Sequence, residues 1–298
     1  MRNLTGIFAA SITPMCEDYS PDLDAIPGYL DFLADRGCHG ALLLGTTGEG
    51  PSFSVKQRFE ILNAGIKVRE KWPDFKLLAG TSTPSLDETI NLTKAAFDLG
   101  LDGTVVLPPY YFRNAGEAGL LSWYREVLDR SVPDGGIFLA YHIPSVSGVG
   151  LSIELLEKLA GSNPNKFSGL KDSSGDQEYA KQLGDRFGKE LIVFTGNDRL
   201  LSKALEHQAS GCITAMANLI SPELRSLWDT FEIKQSTVLI QNRIDQIRNK
   251  CEQFQPFPPL IKLLLNVYHE FPIWPVCPPL EELSPEDVDR VTTMVNLA

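Results

Sequence analysis

Short, uninterrupted apolar runs recur along the chain, and between them apolar residues return at helical spacing. The runs at 6–12, 40–44, 76–79, 103–107, 137–141, 167–171, 191–194 and 212–214 are predicted as strands. Between them, 23–36 carries Ile26, Tyr29, Leu30, Leu33 and Ala34 at helical spacing, and a helix from about Ser54 carries Phe59, Ile61, Leu62 and Ile66. Further helices are expected at 85–99, 116–128, 153–159, 179–187 and 200–207, the first opened by the capping-box pattern Ser85-Leu86-Asp87-Glu88. Strands that are apolar throughout, rather than alternating, imply burial on both faces, as in a parallel sheet covered by helices. Eight such strand–helix units in about 215 residues fit a closed barrel better than an open doubly wound sheet. The Gly-x-Gly-x-x-Gly loop that an open dinucleotide-binding sheet carries after its first strand is missing. The expected fold class is therefore α/β, a (β/α)8 TIM barrel over 1–220. A helical extension packed on the barrel occupies 221–298, with helices near 222–231, 238–254, 259–268 and 285–297.

Composition narrows the function classes. The chain has 298 residues, 43% hydrophobic and 22% charged, enough to bury a full core. Its net charge of −11 argues against nucleic-acid binding, which needs clustered Lys and Arg. Five cysteines, odd in number and far apart, with only four histidines and no CxxC or HExxH, argue against a disulfide framework and against a metal site. A reducing, cytoplasmic setting fits best. The start Met1-Arg2-Asn3-Leu4-Thr5 lacks a signal-peptide core, and no apolar stretch approaches the roughly 18 residues of a membrane span, so no membrane partner is expected.

Active sites of such barrels lie at the C-terminal ends of the strands. There the chain places Thr46, Thr47 and Glu49, then Tyr110 and Tyr111, Tyr141, Lys171, the run Gly196-Asn197-Asp198-Arg199, and Ile213 and Thr214. One lysine, several hydroxyls and few carboxylates suit neither metal-assisted hydrolysis nor a carboxylate-pair glycosidase. They suit an amine nucleophile with phenolic and alcoholic proton relays. A lysine that attacks a ketone forms a Schiff base, whose protonated imine is an electron sink for breaking or making the adjacent carbon–carbon bond. The amine must first be neutral, and burial in an apolar interior favours that form. Alternation along the strand assigns Phe167, Gly169 and Lys171 to one face. Tyr141 shares a face with Ile137 and Leu139 on the preceding strand, inside the barrel. Gly45-Thr46-Thr47-Gly48-Glu49 offers hydroxyls and backbone N–H groups to a small carboxylate.

Gly-Thr-Thr-Gly-Glu after strand two, Pro-Tyr-Tyr after strand four, Tyr-x-Ile-Pro-x-x-x-Gly after strand five and Gly-Leu-Lys-Asp-Ser-Ser-Gly-Asp after strand six together resemble the dihydrodipicolinate synthase / N-acetylneuraminate lyase family, across essentially the whole chain. The resemblance implies class I aldolase chemistry on pyruvate through a covalent lysine imine, with no metal or organic cofactor. It also implies a homotetramer assembled as a dimer of dimers. Lys171 matches the Schiff-base lysine, Tyr141 the catalytic tyrosine, and Thr46 the relay hydroxyl. Thr47 with Gly48 matches the pyruvate-carboxylate site, Ile213 the apolar wall beside pyruvate, and Tyr111 the tyrosine that reaches a neighbouring subunit's site.

Departures from the family pattern bear on the substrate. Synthases carry an arginine for the aldehyde's carboxylate where this chain reads Val146, and the Ile-Pro-x-x-Ser-Gly-Val form at 143–149 is closer to the neuraminate lyases and sugar-acid aldolases. Gly196-Asn197-Asp198-Arg199 replaces the Gly-Tyr-Asp-Glu run of sialate lyases. Asp198 is left to hold a hydroxyl, and Arg199 offers a donor fork suited to a distal acid. His142 is either a packed ring or a contact for the acceptor. The preferred reading is a lyase of a 2-keto-3-deoxy sugar acid or related 4-hydroxy-2-oxo acid. The alternatives are a dihydrodipicolinate synthase using aspartate semialdehyde, and a non-catalytic keto-acid-binding regulator.

Overall fold

Every strand residue except Lys76 and Ile137 is buried. In the computed structural model, which describes residues 4–295, the strands form a closed parallel barrel in chain order. They are β1 (Gly6–Ala10), β2 (Gly40–Leu43), β3 (Lys76–Gly80), β4 (Gly103–Val106), β5 (Ile137–His142), β6 (Phe167–Asp172), β7 (Ile192–Thr195) and β8 (Gly211–Thr214). The expected barrel is therefore the observed one. No helix among the described residues is long and apolar enough to cross a membrane. The chain start, Met1–Asn3, lies outside the described residues. So do positions 296–298, on which the predicted helix 285–297 partly falls; it runs Pro285–Met294.

The chain forms two compact units, one built on Lys76–Cys212 and the other on Gly6–Phe75 with 213–295. In the first, β3 to β7 pair in parallel and their outward side chains meet the helices. Val106, Phe138, Ala140, Phe167, Leu170 and Val193 from the strands share one core with Tyr124, Leu156, Leu183 and Phe187 from the helices. The Tyr124 hydroxyl, fully buried, donates to Val106 O at 3.3 Å, which keeps a polar tip tolerable in that core.

In the second unit β1 pairs with β2, Phe8 opposite Gly40, and the helix Ala217–Glu232 packs against β1. That helix begins five residues before the predicted 222, with a local break at Ile220 (φ −118°, ψ 34°) just ahead of Pro222. A proline removes one helical N–H and crowds the preceding turn, so the break sits where it should. Pro258 and Pro259 lie in the first turns of the helix Phe257–His269, where a missing N–H costs little. The capping box forms at Ser54 and Gln57, with N–H to side-chain bonds of 3.3 and 3.0 Å. At Ser85 the forward bond from Glu88 N–H is present at 3.3 Å.

One buried amide holds several segments of this unit. Asn218 Oδ1 accepts from Ile12 N–H (3.2 Å) and the Tyr29 hydroxyl (2.6 Å), while Nδ2 donates to Ala10 O (2.8 Å) and Ala215 O (2.7 Å). All four hydrogen-bonding sites of the amide are used. Replacing Asn218 with Ala strands these buried partners, and we expect a loss of about 3 kcal/mol or more, given roughly 1–3 kcal/mol per unsatisfied group. Urea denaturation at neutral pH measures it; a loss below about 1 kcal/mol would show that the four bonds are not cooperative.

Candidate active site

Simple alternation along β6 is interrupted. Phe138 faces Phe167 across β5 and β6, but Leu139 faces Gly169, so Ser168 is an extra residue with no partner in the ladder. This is a β-bulge. The Ser168 hydroxyl stands in for the missing ladder bond: it accepts from Phe138 N–H at 3.0 Å and donates to Gly136 O at 3.2 Å. Phe167 therefore joins the helix-side core with Leu170, and the expectation that Phe167 shares a face with Lys171 is corrected. Beyond the bulge, Gly169 has φ +148°, and a Cβ there would lie 1.9 Å from Ile192 O. No side chain fits, so the approach of β6 to β7 depends on glycine at this position.

With the phase reset, Lys171 and Tyr141 become register partners on adjacent strands, on the face away from the helices. Both are buried, at 3% and 4% exposure, and Lys171 Nζ stands 4.2 Å from the centroid of the Tyr141 ring. An ammonium over a phenol face gains a cation–π attraction, and a neutral amine there has the phenol beside it as a proton partner. Among the described residues no ion pair involves Lys171.

Ser173, which the sequence reading did not single out, completes this group. Its hydroxyl donates to Tyr141 Oη across 3.5 Å, and its N–H donates to His142 O at 2.7 Å. Gly196 makes room for it, since a Cβ there would lie 1.8 Å from Ser173 Oγ. The hydroxyl-bearing Lys-Asp-Ser-Ser run was the available signal.

The neighbours in sequence face the other way. Asp172 does not pair with Lys171; its Oδ1 accepts from Ser174 N–H at 3.0 Å and its Oδ2 has no hydrogen-bond partner. Burial pushes its carboxyl up to about 6. His142, opposite Asp172 in the register, accepts from Leu151 N–H at 2.9 Å through Nδ1 and packs 4.6 Å from the Tyr179 ring. Burial lowers its imidazole to about 4. Of the two roles expected for His142, the packed ring is the one its surroundings describe.

The remaining predicted residues of this unit lie on loops. Tyr111 is 74% exposed and meets the 71%-exposed Phe112 edge to face at 5.2 Å. Arg113 lies over Gly148, so closely that a Cβ on Gly148 would come within 2.6 Å of its Cδ. Asp198 is fully buried and Arg199 exposed, with the Arg199 N–H donating to Asn197 Oδ1 at 3.1 Å.

In the other unit, Thr46 is exposed, Thr47 and Gly48 are buried, and Ile213 on β8 is fully buried. The loop is wound tightly. Gly50 N–H donates to Gly45 O at 3.1 Å, and the Thr13 hydroxyl donates to Gly48 O at 2.7 Å. A Cβ on Gly48 would lie 2.6 Å from Ser11 O. Glu49 is taken up by a buried contact with Lys262 Nζ at 2.6 Å. Among the described residues no group of three His, Cys, Asp or Glu side chains is arranged to hold a metal ion.

Comparison with known proteins gives a consistent result. The model of the dihydrodipicolinate synthetase family matches residues 3–298. A DapA-like lyase of Chloroflexus aurantiacus is 39% identical over 289 residues, covering 97% of this chain and 95% of the relative. An N-acetylneuraminate lyase of Rattus norvegicus is 27% identical, covering 96% and 89%. Among solved structures, dihydrodipicolinate synthase from Agrobacterium tumefaciens superposes with a TM-score of 0.87 at 29% identity over 98% of both chains.

The helix-side pair predicts opposite pH slopes. Asp172, raised in the fold to about 6 from 3.8, favours the folded state below about 4, and that stability is lost as pH rises through 6. His142, lowered to about 4 from 6.5, favours the folded state above 6.5, and that is lost as pH falls through 4. Each amounts to on the order of 3 kcal/mol, so they nearly cancel in the wild type. Between pH 7 and 4.5, His142→Asn should gain stability relative to wild type and Asp172→Asn should lose it. Urea midpoints at the two pH values read this, and equal slopes in both variants would contradict it.

Proposed function

The chain belongs to the dihydrodipicolinate synthetase family, and we propose that it cleaves or forms a 2-keto-3-deoxy sugar acid, or a related 4-hydroxy-2-oxo acid, through an imine between pyruvate and Lys171. It is a carbon–carbon lyase of the class I aldolase type. The observation that carries the reading is Lys171 itself, buried, with no ion pair among the described residues and its Nζ 4.2 Å from the Tyr141 ring.

In the synthetic direction the Lys171 amine attacks C2 of pyruvate and the carbonyl oxygen takes a proton, giving a carbinolamine. Loss of water leaves the protonated imine. Loss of a C3 proton then gives an enamine, whose carbon adds to the acceptor aldehyde; hydrolysis of the new imine frees the product and the lysine. Cleavage runs the same steps backwards. Tyr141 shuttles the protons of carbinolamine formation and dehydration, and Ser173 and Thr46 serve it as hydroxyl relays. The Thr47 and Gly48 backbone receives the keto acid's carboxylate, and Ile213 lines its apolar side. Asp198 and Arg199 belong to the acceptor end. The covalent imine does the work of a cofactor.

Val146, 55% exposed, supports the sugar-acid substrate, since an apolar side chain cannot donate to an aldehyde's carboxylate. One observation favours a second reading, a synthase condensing pyruvate with aspartate semialdehyde: Arg113 over Gly148 brings a guanidinium to the same loop. The exposed Tyr111–Phe112 pair fits a tetramer built from dimers in which Tyr111 serves a neighbouring subunit. The free cysteines accord with a cytoplasmic setting.

Borohydride reduction in the presence of pyruvate should leave a reduced pyruvyl adduct on the Lys171 peptide, read by mass spectrometry. A folded protein that gives no adduct would instead be a keto-acid-binding regulator. Lys171→Ala should abolish turnover with the fold intact, and Tyr141→Phe should lower kcat by about 10²–10⁴-fold. In a panel of aldehydes with pyruvate, sugar-derived acceptors should exceed aspartate semialdehyde in kcat/KM; the reverse order would select the synthase.

A further inference from the structure

A buried ion pair holds the loop that presents Thr46, Thr47 and Gly48, and the carbon chemistry does not use it. Lys262 and Glu49 meet at 2.6 Å with side-chain exposures of 2% and 0%. Each partner is also fixed in a second direction. Glu49 Oε2 accepts from Cys277 N–H at 2.8 Å, and Lys262 Nζ donates to Pro275 O at 2.6 Å. Burial drives the Lys262 amine down from its ordinary range, and the Glu49 charge opposes that. An apolar pair of equal volume would hold these segments together as well, because desolvation offsets most of the attraction in a buried ion pair. What the ion pair adds is direction, with each oxygen and the ammonium aimed at a named partner.

That direction reaches the loop backbone. Glu49 has φ 54° and Leu44 φ 59°, left-handed values that residues with a Cβ adopt only when held there. The Glu49 N–H donates to Thr46 O at 3.2 Å, so the peptide of the exposed threonine is tied to the residue whose carboxylate Lys262 grips. Gly48 lies between them with its carbonyl bound by Thr13. The loop is thus pinned at Thr13 on one side and through Glu49 on the other, the second pin coming from the C-terminal helices.

We propose that Glu49 and Lys262 are positioning residues that set the Thr46–Gly48 backbone to receive the carboxylate of the keto acid. Through them, the helix Phe257–His269 and the segment around Pro275–Cys277 govern affinity for pyruvate. This rests on the reading of the loop as the carboxylate site.

The test uses imine trapping alone and needs no acceptor aldehyde. The full-length wild type, Glu49→Gln and the double variant Glu49→Gln/Lys262→Met are titrated with pyruvate and, separately, with acetone, a ketone without a carboxylate. Borohydride-reduced adduct at Lys171 is quantified by mass spectrometry. The double variant removes both charges, so no orphan ion confounds folding, and circular dichroism verifies the fold. Both variants should raise the half-saturating pyruvate concentration by about tenfold or more, as a misplaced binding group does, and leave the acetone dependence within about twofold. Unchanged pyruvate dependence, or an equal loss for both ketones, would overturn the proposal while sparing the imine chemistry. A wild type that traps neither ketone would overturn both together.

Discussion

A lysine ammonium removed from water must be met by opposite charge, by dipoles or by an aromatic face, because low dielectric penalises the bare ion. This chain buries two lysines to nearly the same degree and answers them differently. Lys262, at 2% exposure, is held by a carboxylate and a carbonyl. Lys171, at 3%, has a phenol ring. Burial alone does not separate the two, whereas the partner does. A lysine gripped by a carboxylate has its orientation committed. Lys171 instead rests against the face of a polarisable ring.

Strand β6 separates two kinds of polar chemistry by a single peptide. Lys171 projects to one side, next to Tyr141. Asp172 projects to the other, opposite His142 and behind Tyr179. The opposite charges of adjacent residues therefore never neutralise each other. The carboxylate that would otherwise have trapped the amine is spent on the helix side, where burial raises it to about 6.

The strands, their order around the barrel and the neighbouring places of Lys171 and Tyr141 could be read from apolar runs and alternation. The phase of β6 could not. An extra residue such as Ser168 is invisible in a run already apolar on both faces, and its hydroxyl replaces a ladder bond that only coordinates reveal. Plain alternation therefore puts Phe167 on the wrong face. The Glu49–Lys262 contact spans 213 positions, and nothing local marks either residue as half of a pair. His142 sits one step beyond Tyr141 on its strand, and that step turns its ring toward Tyr179. The helix Ala217–Glu232 starts ahead of Pro222 because that proline marks a kink, and in sequence a kink proline reads the same as a helix-start proline.

The Asn218 amide joins residues made at very different times. Its bonds to Ile12 and Ala10 span 206 and 208 positions. As the chain leaves the ribosome, at roughly 5–20 residues per second, β1 must wait ten seconds or more for this partner. Until then a buried-type strand presents an open edge, the feature most prone to pairing with a foreign chain. Whatever shields that edge during synthesis, whether a chaperone or early pairing with β2, guards a contact that closes only after more than 200 further residues have been made.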